Sequence, residues 1–342
     1  MRAAVTRSFG ETRVEEWPDP KAGPGEAVVR VEACGVCSGE GLPWYVNRKV
    51  PAVLGHEVVG TITEVGKGLS DGFVGTRVFA HHHVPCGECH FCRRGFVTNC
   101  KLFRETALDP GGFAEYMRVP AENFSRDTLT LPKEVPVEEA IFLEPMACSI
   151  RALKKLGDRP GDSILLIGLG VMGLLNLLIA RSRGFKTIIG SDFIKERREV
   201  ALRLGANAVV DPAGQDLRGE VEAATDGRGA DAVIVGPGTP EALRAGLDAV
   251  APGGTVVQFT PTPAEQNLEV DTHRFYFSEL TLTASYSCGP EDTREALEIV
   301  SSRELPLADL VTGRFGLDGV DAAMRLIGEG GAHLKSIILP SL

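Results

Sequence analysis

Four of the eight cysteines lie within fifteen residues, in a stretch rich in glycine, arginine and histidine. They are Cys86, Cys89, Cys92 and Cys100. Thiolates at this spacing can surround a zinc ion tetrahedrally at about 2.3 Å and leave no position open, which is typical of a structural site. Scattered buried cysteines, a redox cluster and a nucleic-acid zinc knuckle are alternatives that the polar setting and the acidic chain disfavour. The spacing therefore predicts a structural zinc. The neighbouring histidines 81–83 are expected at a partly exposed strand end and are assigned no role.

A second set of possible metal ligands is spread along the chain. Cys37 comes first, the pair His56-Glu57 begins nineteen residues later, and Glu144 follows the apolar segment 140–143. A thiolate, an imidazole and a carboxylate from separate loops suit a catalytic metal, where three protein ligands leave the fourth position for water or substrate. A carboxylate at the end of an apolar run needs a partner, and a cation is a natural one. These four residues are therefore candidate ligands of a catalytic metal.

A glycine-rich turn follows the buried strand expected at 163–167 and precedes a helix expected through Ala180. In the G-x-G-x-x-G pattern of 168–173, the first glycine makes the tight turn and the second lets the backbone approach a pyrophosphate. The third glycine allows close packing, and the helix N-terminus faces the phosphate charge. Asp192, 19 residues beyond the last glycine, ends the next strand, where a carboxylate binds the ribose hydroxyls of NAD. The residues assigned to the cofactor are Gly168, Gly170, Val171, Met172, Gly173, Asp192 and Arg197.

The choice of NAD over NADP rests on charge. An NADP 2′-phosphate within about 4 Å of the Asp192 carboxylate costs about 4 kcal/mol per unit charge at an effective dielectric near 20. The cations Lys195, Arg197 and Arg198 lie nearby in sequence and could offset part of this repulsion. They also fit a solvated helix face. The sequence therefore predicts a preference for NAD.

The elements around these motifs divide into two kinds. Beyond residue 158, strands alternate with helices of about ten residues, which is typical of a doubly wound parallel sheet. The expected strands are 186–191, 208–210, 232–235 and 255–259, and the expected helices are 195–205, 217–225 and 240–250. Before residue 147, short strands such as 27–31 and 58–62 are punctuated by Pro and Gly, as in an antiparallel β-barrel. A helix at 291–302 and a strand at 334–339 are expected to rejoin that barrel.

Two domains follow from this division, as the length of 342 residues also suggests. Residues 1–150, completed by 287–342, are expected to form the zinc-binding catalytic barrel. Residues 151–286 are expected to form the α/β dinucleotide-binding Rossmann domain.

The net charge of −10 argues against nucleic acid or an anionic membrane as a partner, because both recruit basic surfaces. The uncharged stretch 163–180 contains three glycines and an asparagine, which fit a membrane span poorly. The N-terminus lacks the apolar core of a signal peptide, so a cytoplasmic location is expected.

Taken together, these motifs resemble the zinc-dependent medium-chain alcohol dehydrogenases, in particular the sorbitol and threonine dehydrogenase branch. The resemblance covers essentially the whole chain. It implies a GroES-like barrel, a homodimer or homotetramer, and a cofactor held between the domains. It also implies that Cys37, His56 and Glu57 are catalytic zinc ligands. Glu144, 24 residues before the glycine turn, falls where the family places its remaining ligand or exchangeable carboxylate.

The chain departs from the family after the first ligand. Family members usually read Cys-Gly-Thr/Ser-Asp with a histidine two residues beyond the aspartate, whereas this chain reads Cys-Ser-Gly-Glu over 37–40, followed by Gly41 and Leu42. The hydroxyl that relays the substrate proton is displaced by one residue. Ser38 is the nearest substitute, and a water chain past Glu40 is the alternative.

The expected activity is NAD-linked, zinc-dependent oxidation of a small secondary alcohol or polyol to a ketone, and the reverse. Two zinc ions per chain are expected. One alternative is an NADP-dependent enone or quinone reductase without a catalytic metal. The presence of Cys37, His56 and Glu57 disfavours it. A nucleotide-binding protein that has lost activity is the other. The adjacent Trp44 and Tyr45 could wall a substrate pocket or simply pack on the barrel.

Overall fold

The computed structural model describes residues 1–158 and 160–342. Its strands are β1 (Arg2–Ser8), β2 (Glu11–Glu16), β3 (Ala27–Gly35), β4 (Ala52–Val53), β5 (Glu57–Val65), β6 (Arg77–Ala80), β7 (Tyr116–Val119), β8 (Thr128–Thr130), β9 (Ser163–Ile167), β10 (Thr187–Ser191), β11 (Ala208–Val210), β12 (Ala230–Val235), β13 (Val250–Gln258), β14 (Thr281–Ala284), β15 (Val311–Phe315) and β16 (Lys335–Ile338). Its α-helices are α1 (Pro43–Val46), α2 (His90–Arg93), α3 (Lys101–Glu105), α4 (Ala121–Asp127), α5 (Val137–Ala140), α6 (Leu143–Lys154), α7 (Val171–Ser182), α8 (Lys195–Arg203), α9 (Leu217–Ala224), α10 (Pro240–Ala249), α11 (Thr272–Phe277), α12 (Pro290–Ser302) and α13 (Val320–Glu329). Short 3₁₀ helices cover Ser38–Gly41, Asp71–Phe73, Val97–Asn99, Leu307–Leu310 and Leu317–Gly319.

The described chain divides into two compact units. The first unit comprises residues 1–147 and 288–342, and the second comprises residues 148–287. No helix among the described residues is both long and apolar enough to cross a bilayer.

The first unit contains a seven-stranded sheet and a three-stranded sheet. The larger sheet runs β15-β16-β3-β5-β6-β8, with β7 also paired to β3, and the smaller runs β2-β1-β4. Pairing is antiparallel throughout the barrel strands, but β15 and β16 pair in parallel, a departure from the purely antiparallel arrangement expected. The connection between them is α13, long enough for the crossover that parallel pairing requires. The C-terminal strand β16 pairs with β3 and so returns to the barrel.

The second unit is a six-stranded parallel sheet with the order β11-β10-β9-β12-β13-β14. Numbered within the unit, this is 3-2-1-4-5-6, the order of the dinucleotide-binding Rossmann fold, whose ligands bind at the carboxyl ends of the strands where the order reverses. The central strand β9 is buried along its whole length, as a strand covered on both faces must be. The GroES-like barrel and the Rossmann domain predicted from the sequence are thus confirmed.

Candidate active site

The first candidate ligand, Cys37, lies just beyond β3, where it caps the 3₁₀ helix Ser38–Gly41. Its backbone N–H donates to Glu40 Oε2 at 3.0 Å, and its Sγ accepts from the N–H of Gly39 at 3.4 Å. These two bonds fix the position of the sulfur at the start of the 3₁₀ helix. Ser38 is half-buried as the first residue of this helix.

Glu40 holds the site together rather than facing solvent, being only 3 % exposed. Besides the Cys37 N–H, its carboxylate accepts from the N–H of Gly55 at 3.0 Å and lies 3.4 Å from His56 Nδ1. Burial alone raises the pKa of Glu40, but the bonds from His56, Cys37 and Gly55 outweigh burial and lower it. Glu40 therefore stays ionised and orients two candidate ligands at once, which the sequence did not indicate.

His56 follows a glycine in the left-handed region, Gly55, with φ +91°. A Cβ at Gly55 would lie 2.7 Å from Phe113 Cδ1, so the chain can turn into β5 here only without a side chain. Because Glu40 faces Nδ1 of His56, Nε2 is left for a metal. Burial lowers the pKa of His56, but the charges of Cys37 and Glu40 together raise it well above its usual value. The ring thus lies in a strongly negative environment, which suits a cation.

Glu57 begins β5 and forms a fully buried ion pair with Lys335 of β16. The Lys335 ammonium also donates to the carbonyl of Val36 at 3.0 Å. Burial lowers the pKa of Lys335, but the Glu57 carboxylate outweighs that effect and raises it, so the ammonium keeps its proton. Gly35 makes room for the pair, because a Cβ there would overlap the Glu57 carboxylate. Lys335 was missed in the sequence, although a lysine in an otherwise apolar final strand was a signal.

The candidate ligands fall into three overlapping groups: one joins Glu144 to His81 and Cys288, and the other two share His56. In one, the donor atoms of Cys37, His56 and Glu57 all lie within 4.8 Å of one another. In the other, His56 is joined by His82 and Glu144 within the same limit. His82 Nδ1 is buried and has no hydrogen-bond partner among the described residues, as expected of a nitrogen that is available to a metal. The structure therefore brings all four predicted ligands to one region and adds His82.

The prediction that histidines 81–83 lie at a partly exposed strand end is wrong for His81, whereas His82 and His83 are partly exposed and follow the end of β6. His81 is fully buried, its Nδ1 lies 2.8 Å from Asp127 Oδ2 and its Nε2 lies 3.4 Å from Cys288 Sγ. His82 and His83 are half-buried. The segment turns inward because buried Asn123 donates to the carbonyls of His81 and His82 at 2.8 and 3.0 Å. This tertiary contact has no counterpart in the local sequence.

The four cysteines of the lobe also meet, each donor atom within 4.8 Å of the others. Cys92 Sγ lies 3.5 Å from Cys89 Sγ and 3.9 Å from Cys86 Sγ. Thiolates about 2.3 Å from a tetrahedral zinc are about 3.8 Å apart, so these separations fit that ion. The backbone N–H of Cys86 donates to Cys100 Sγ and that of Cys89 donates to Cys86 Sγ, both at 3.3 Å, which fixes the positions of these sulfurs.

In the second unit, the glycine turn has the geometry its sequence predicted. Gly168 has φ +87°, and a Cβ at Gly173 would overlap the Gly168 carbonyl oxygen. Gly170 caps α7, whose first residues are Val171 and Met172. The free N–H groups of this twelve-residue helix therefore lie at the carboxyl end of β9, where a phosphate can be bound.

Asp192 lies directly after β10 and is 8 % exposed. Its Oδ2 accepts from the N–H of Leu169 at 2.7 Å, its Oδ1 accepts from that of Ile194 at 2.8 Å, and Arg197 Nη1 lies 3.8 Å from Oδ2. The carboxylate is thus fixed to the glycine turn with a guanidinium beside it. That cation reduces the repulsion toward a phosphate below the value that the sequence alone suggested.

A cavity of about 440 Å³ opens beside the His56 group in the first unit. Tyr45 lines it together with His56, His82 and His83. Trp44 packs edge-on against Tyr45, with ring centroids 5.8 Å apart, and does not itself line the cavity. Only one of the two aromatic residues is therefore placed to meet a substrate there.

Comparison with known proteins gives the same two domains. Residues 23–132 match the alcohol dehydrogenase GroES-like domain, and residues 171–302 match the zinc-binding dehydrogenase domain. An L-threonine 3-dehydrogenase of Pyrococcus horikoshii is 33 % identical over 91 % of this chain and 90 % of its own length. A sorbitol dehydrogenase of Bacillus subtilis is 28 % identical over 100 % of this chain and 98 % of its own.

Among solved structures, a protein described as a zinc-binding dehydrogenase from Sinorhizobium meliloti 1021, bound to NADP, superposes with a TM-score of 0.88. It is 28 % identical, and the match covers 99 % of each chain. The two matched domains, the relatives and the fold agree with the family resemblance of the sequence motifs. The chain belongs to the zinc-dependent medium-chain alcohol dehydrogenase family.

Proposed function

We propose that this protein catalyses the NAD-linked oxidation of a secondary alcohol or polyol to a ketone, and the reverse reaction. The observation that carries the proposal is the group of Cys37, His56 and Glu57 donor atoms, mutually within 4.8 Å, beside the 440 Å³ cavity. The glycine turn of the second unit supplies the matching dinucleotide site. The relatives named as sorbitol and threonine dehydrogenases act on alcohol groups of the same kind.

We propose two zinc ions per chain with different roles. The four thiolates of the lobe would enclose one completely, so that ion would be structural. Cys37, His56 and Glu57, with Glu144 as the remaining or exchangeable ligand, would hold the second and leave a position for the substrate oxygen. The separations of the donor atoms and the unpaired Nδ1 of His82 support a cation in that region.

When bound, zinc acidifies an alcohol oxygen as it acidifies water, and the oxidised nicotinamide accepts the hydride. The protein holds the donors in place through Glu40, which fixes both the Cys37 backbone and the His56 ring. Lys335 balances the charge of Glu57, so the site does not accumulate uncompensated carboxylates. The departing proton passes to the Ser38 hydroxyl, because Gly39 has none and both Glu40 oxygens already accept bonds.

We propose that NAD is preferred over NADP. Asp192 remains the anion nearest the expected ribose position, and its two backbone N–H bonds keep it there. Arg197 reduces the repulsion between Asp192 and the 2′-phosphate of NADP. We therefore expect a preference for NAD of about tenfold in kcat/KM, the equivalent of about 1.4 kcal/mol. Asp192→Ser should reduce NAD⁺ use and relieve NADP⁺ use, whereas Asp248→Ser, a control at an exposed carboxylate of α10, should change the use of neither cofactor. Equal use of both cofactors by the wild-type enzyme would overturn this assignment.

We propose a homodimer or homotetramer. The edge strand β14 pairs with β13 alone among the described strands, and Leu282 on it is exposed. In the preceding helix, Tyr276 and Phe277 are more than two-thirds exposed. An unpaired edge beside exposed aromatic side chains suits a second copy of the chain. Sedimentation velocity of the wild type and of Phe277→Glu tests this, and a monomeric wild type would contradict it.

We also propose a cytoplasmic location, because none of the eight cysteines forms a disulfide and the five that are proposed zinc ligands must be reduced. Thiol titration of the zinc-depleted protein, isolated without reductant from the cytoplasmic fraction, tests both the location and the reduced state of the cysteines. A disulfide within the four-cysteine lobe of freshly isolated protein would contradict them.

Metal content followed by a substrate panel tests the proposed reaction. Purified protein should contain two zinc ions per chain and should reduce NAD⁺ with sorbitol or another secondary alcohol. Chelation of the second zinc should abolish turnover. Reduction of enones with NADPH by the metal-depleted protein would instead identify a metal-independent reductase.

A further inference from the structure

The cavity beside His56 has an unusual charge for a chain that carries a net −10. Its wall includes two cations, Lys49 and Arg104, and one acidic residue, Glu40. Glu40 is buried, and its oxygens are bonded to two backbone N–H groups and face His56. The positive charge at the wall is therefore not balanced from within the cavity.

The two cations also lack acidic partners elsewhere. In residues 1–158 and 160–342, no carboxylate lies within 4.0 Å of Lys49 or Arg104, although many other cations of the chain have such a partner. Both side chains are exposed. They offer hydrogen-bond donors to any anion that enters.

Neutral groups hold both cations in place. The Lys49 ammonium donates to Tyr45 Oη at 2.6 Å and lies 4.0 Å from the centroid of the same ring. Arg104 donates through Nη2 to Asn99 Oδ1 at 2.9 Å, and in the described chain its Nη1 has no partner. Positioning without neutralisation is the arrangement that a binding site for an anion needs, because it limits the entropy lost on binding.

We propose that Lys49 and Arg104 bind an anionic group of the substrate, so that this enzyme acts on alcohols that also carry a carboxylate or a phosphate. The inference rests on the proposed dehydrogenase function and narrows its substrate class. The ammonium offers a compact charge and the guanidinium offers paired donors, and together they suit an oxyanion with several acceptor oxygens. The hydroxyl would face His56, which lines the same cavity.

Two matched pairs of ligands test the proposal. 3-Hydroxybutyrate is compared with its neutral amide, and sorbitol 6-phosphate is compared with sorbitol. Binding to the zinc-loaded, NAD⁺-bound enzyme is measured by titration calorimetry, and turnover is measured separately. We expect the anionic member of at least one pair to bind about tenfold or more tightly, the lower end of what a hydrogen bond to a charged group contributes. Which pair responds distinguishes a carboxylate from a phosphate.

Variants assign the effect to these residues. Lys49→Met and Arg104→Gln should each reduce the anionic preference severalfold, with binding of the neutral member unchanged. Arg48→Gln is the control, because it removes the same charge from an exposed neighbour that does not line the cavity. Added salt should weaken binding of the anionic member more than that of the neutral one.

The outcomes separate the two proposals. Equal binding of anionic and neutral members, binding of neither, or a preference that survives both variants would overturn the anion site. Turnover of sorbitol without any anionic preference would overturn it while leaving the dehydrogenase proposal intact. An anionic preference in binding without hydride transfer to NAD⁺ would support the anion site and overturn the dehydrogenase proposal.

Discussion

The four-cysteine lobe and the donor group around His56 each gather metal-binding side chains, but from very different lengths of chain. The lobe takes all four sulfurs from residues 86–100. The other group takes donors from positions 37 to 144, and its Glu57 is balanced by Lys335, 278 residues away. The lobe can form from local turns and a metal, whereas the His56 group exists only when the whole first unit has folded.

The donors also differ in kind. Four identical thiolate ligands allow a metal ion only one coordination geometry and leave no open position. Around His56, a thiolate, two imidazoles and two carboxylates form overlapping groups, and buried charges have to be balanced by Lys335. A closed set of identical ligands serves stability, and a mixed set with alternatives serves exchange of ligands during a reaction.

The largest expected effect separates the two regions directly. Cys37→Ser should lower turnover by at least about 10³, because zinc contributes several kcal/mol to the transition state, while the unfolding midpoint changes little. Cys89→Ser should do the reverse, with a loss of more than about 3 kcal/mol in the free energy of unfolding. Steady-state kinetics and urea unfolding of both variants measure this. If the two variants behave alike, the division into catalytic and structural sites is wrong.

The second effect concerns the proton path, which only the His56 region needs. Ser38→Ala should lower kcat by about 10², the low end of what general acid–base assistance provides, with the zinc content unchanged. Ser70→Ala, which removes a hydroxyl from another 3₁₀ helix cap, is the control. An unchanged rate and pH profile for Ser38→Ala would give the role to water.

A third effect concerns charge balance. Lys335→Met leaves the Glu57 carboxylate buried without a partner, so the zinc-depleted protein should lose about 3 kcal/mol of unfolding free energy. Arg314→Gln breaks the exposed pair with Glu138 and should cost less than about 1 kcal/mol. Urea unfolding compares the two variants. The double variant Glu57→Gln, Lys335→Met should regain part of the loss, and equal losses for the buried and the exposed pair would contradict this interpretation.

The smallest effect tests whether the donor groups overlap in function. His82→Gln should weaken binding of the second zinc by about tenfold, as changes next to a metal commonly do, and should alter the visible spectrum of the cobalt-substituted enzyme. His83→Gln is the matched control, because His83 Nδ1 is already bonded to the Thr106 carbonyl. Identical affinities and spectra for wild type and His82→Gln would remove His82 from the metal environment.

The contrast between the regions also explains what could be predicted from the sequence. The four cysteines, the glycine turn and strand β9 are local patterns, in which spacing or an apolar run determines the structure within about twenty residues. The parallel sheet of the second unit likewise follows from the alternation of strands and helices, although the order of its strands was not predicted.

Local sequence patterns could not predict the residues that support the candidate active site. Glu40 was considered only beside a water chain for the proton, because its bonds to Gly55 and His56 depend on how a later segment folds back. Lys335 meets Glu57 only through the pairing of β16 with β3. His81 was expected near the surface, and the side chain that draws its segment inward, Asn123, lies 42 residues further on. Each of these contacts depends on chain topology, which spacing does not reveal.

The buried pair of Glu57 and Lys335 determines when the candidate active site can form during synthesis of the chain. A ribosome makes the chain from its N-terminus, and domains generally fold as they emerge. Glu57 is therefore synthesised long before its counter-charge, Lys335, which lies 278 residues further along the chain. Once residues 86–100 have been made, the four cysteines of the lobe can come together, whereas the pair of Glu57 and Lys335 waits for β16. A nascent chain cut short between the lobe and β16 would contain all four cysteines but would leave the Glu57 carboxylate without Lys335.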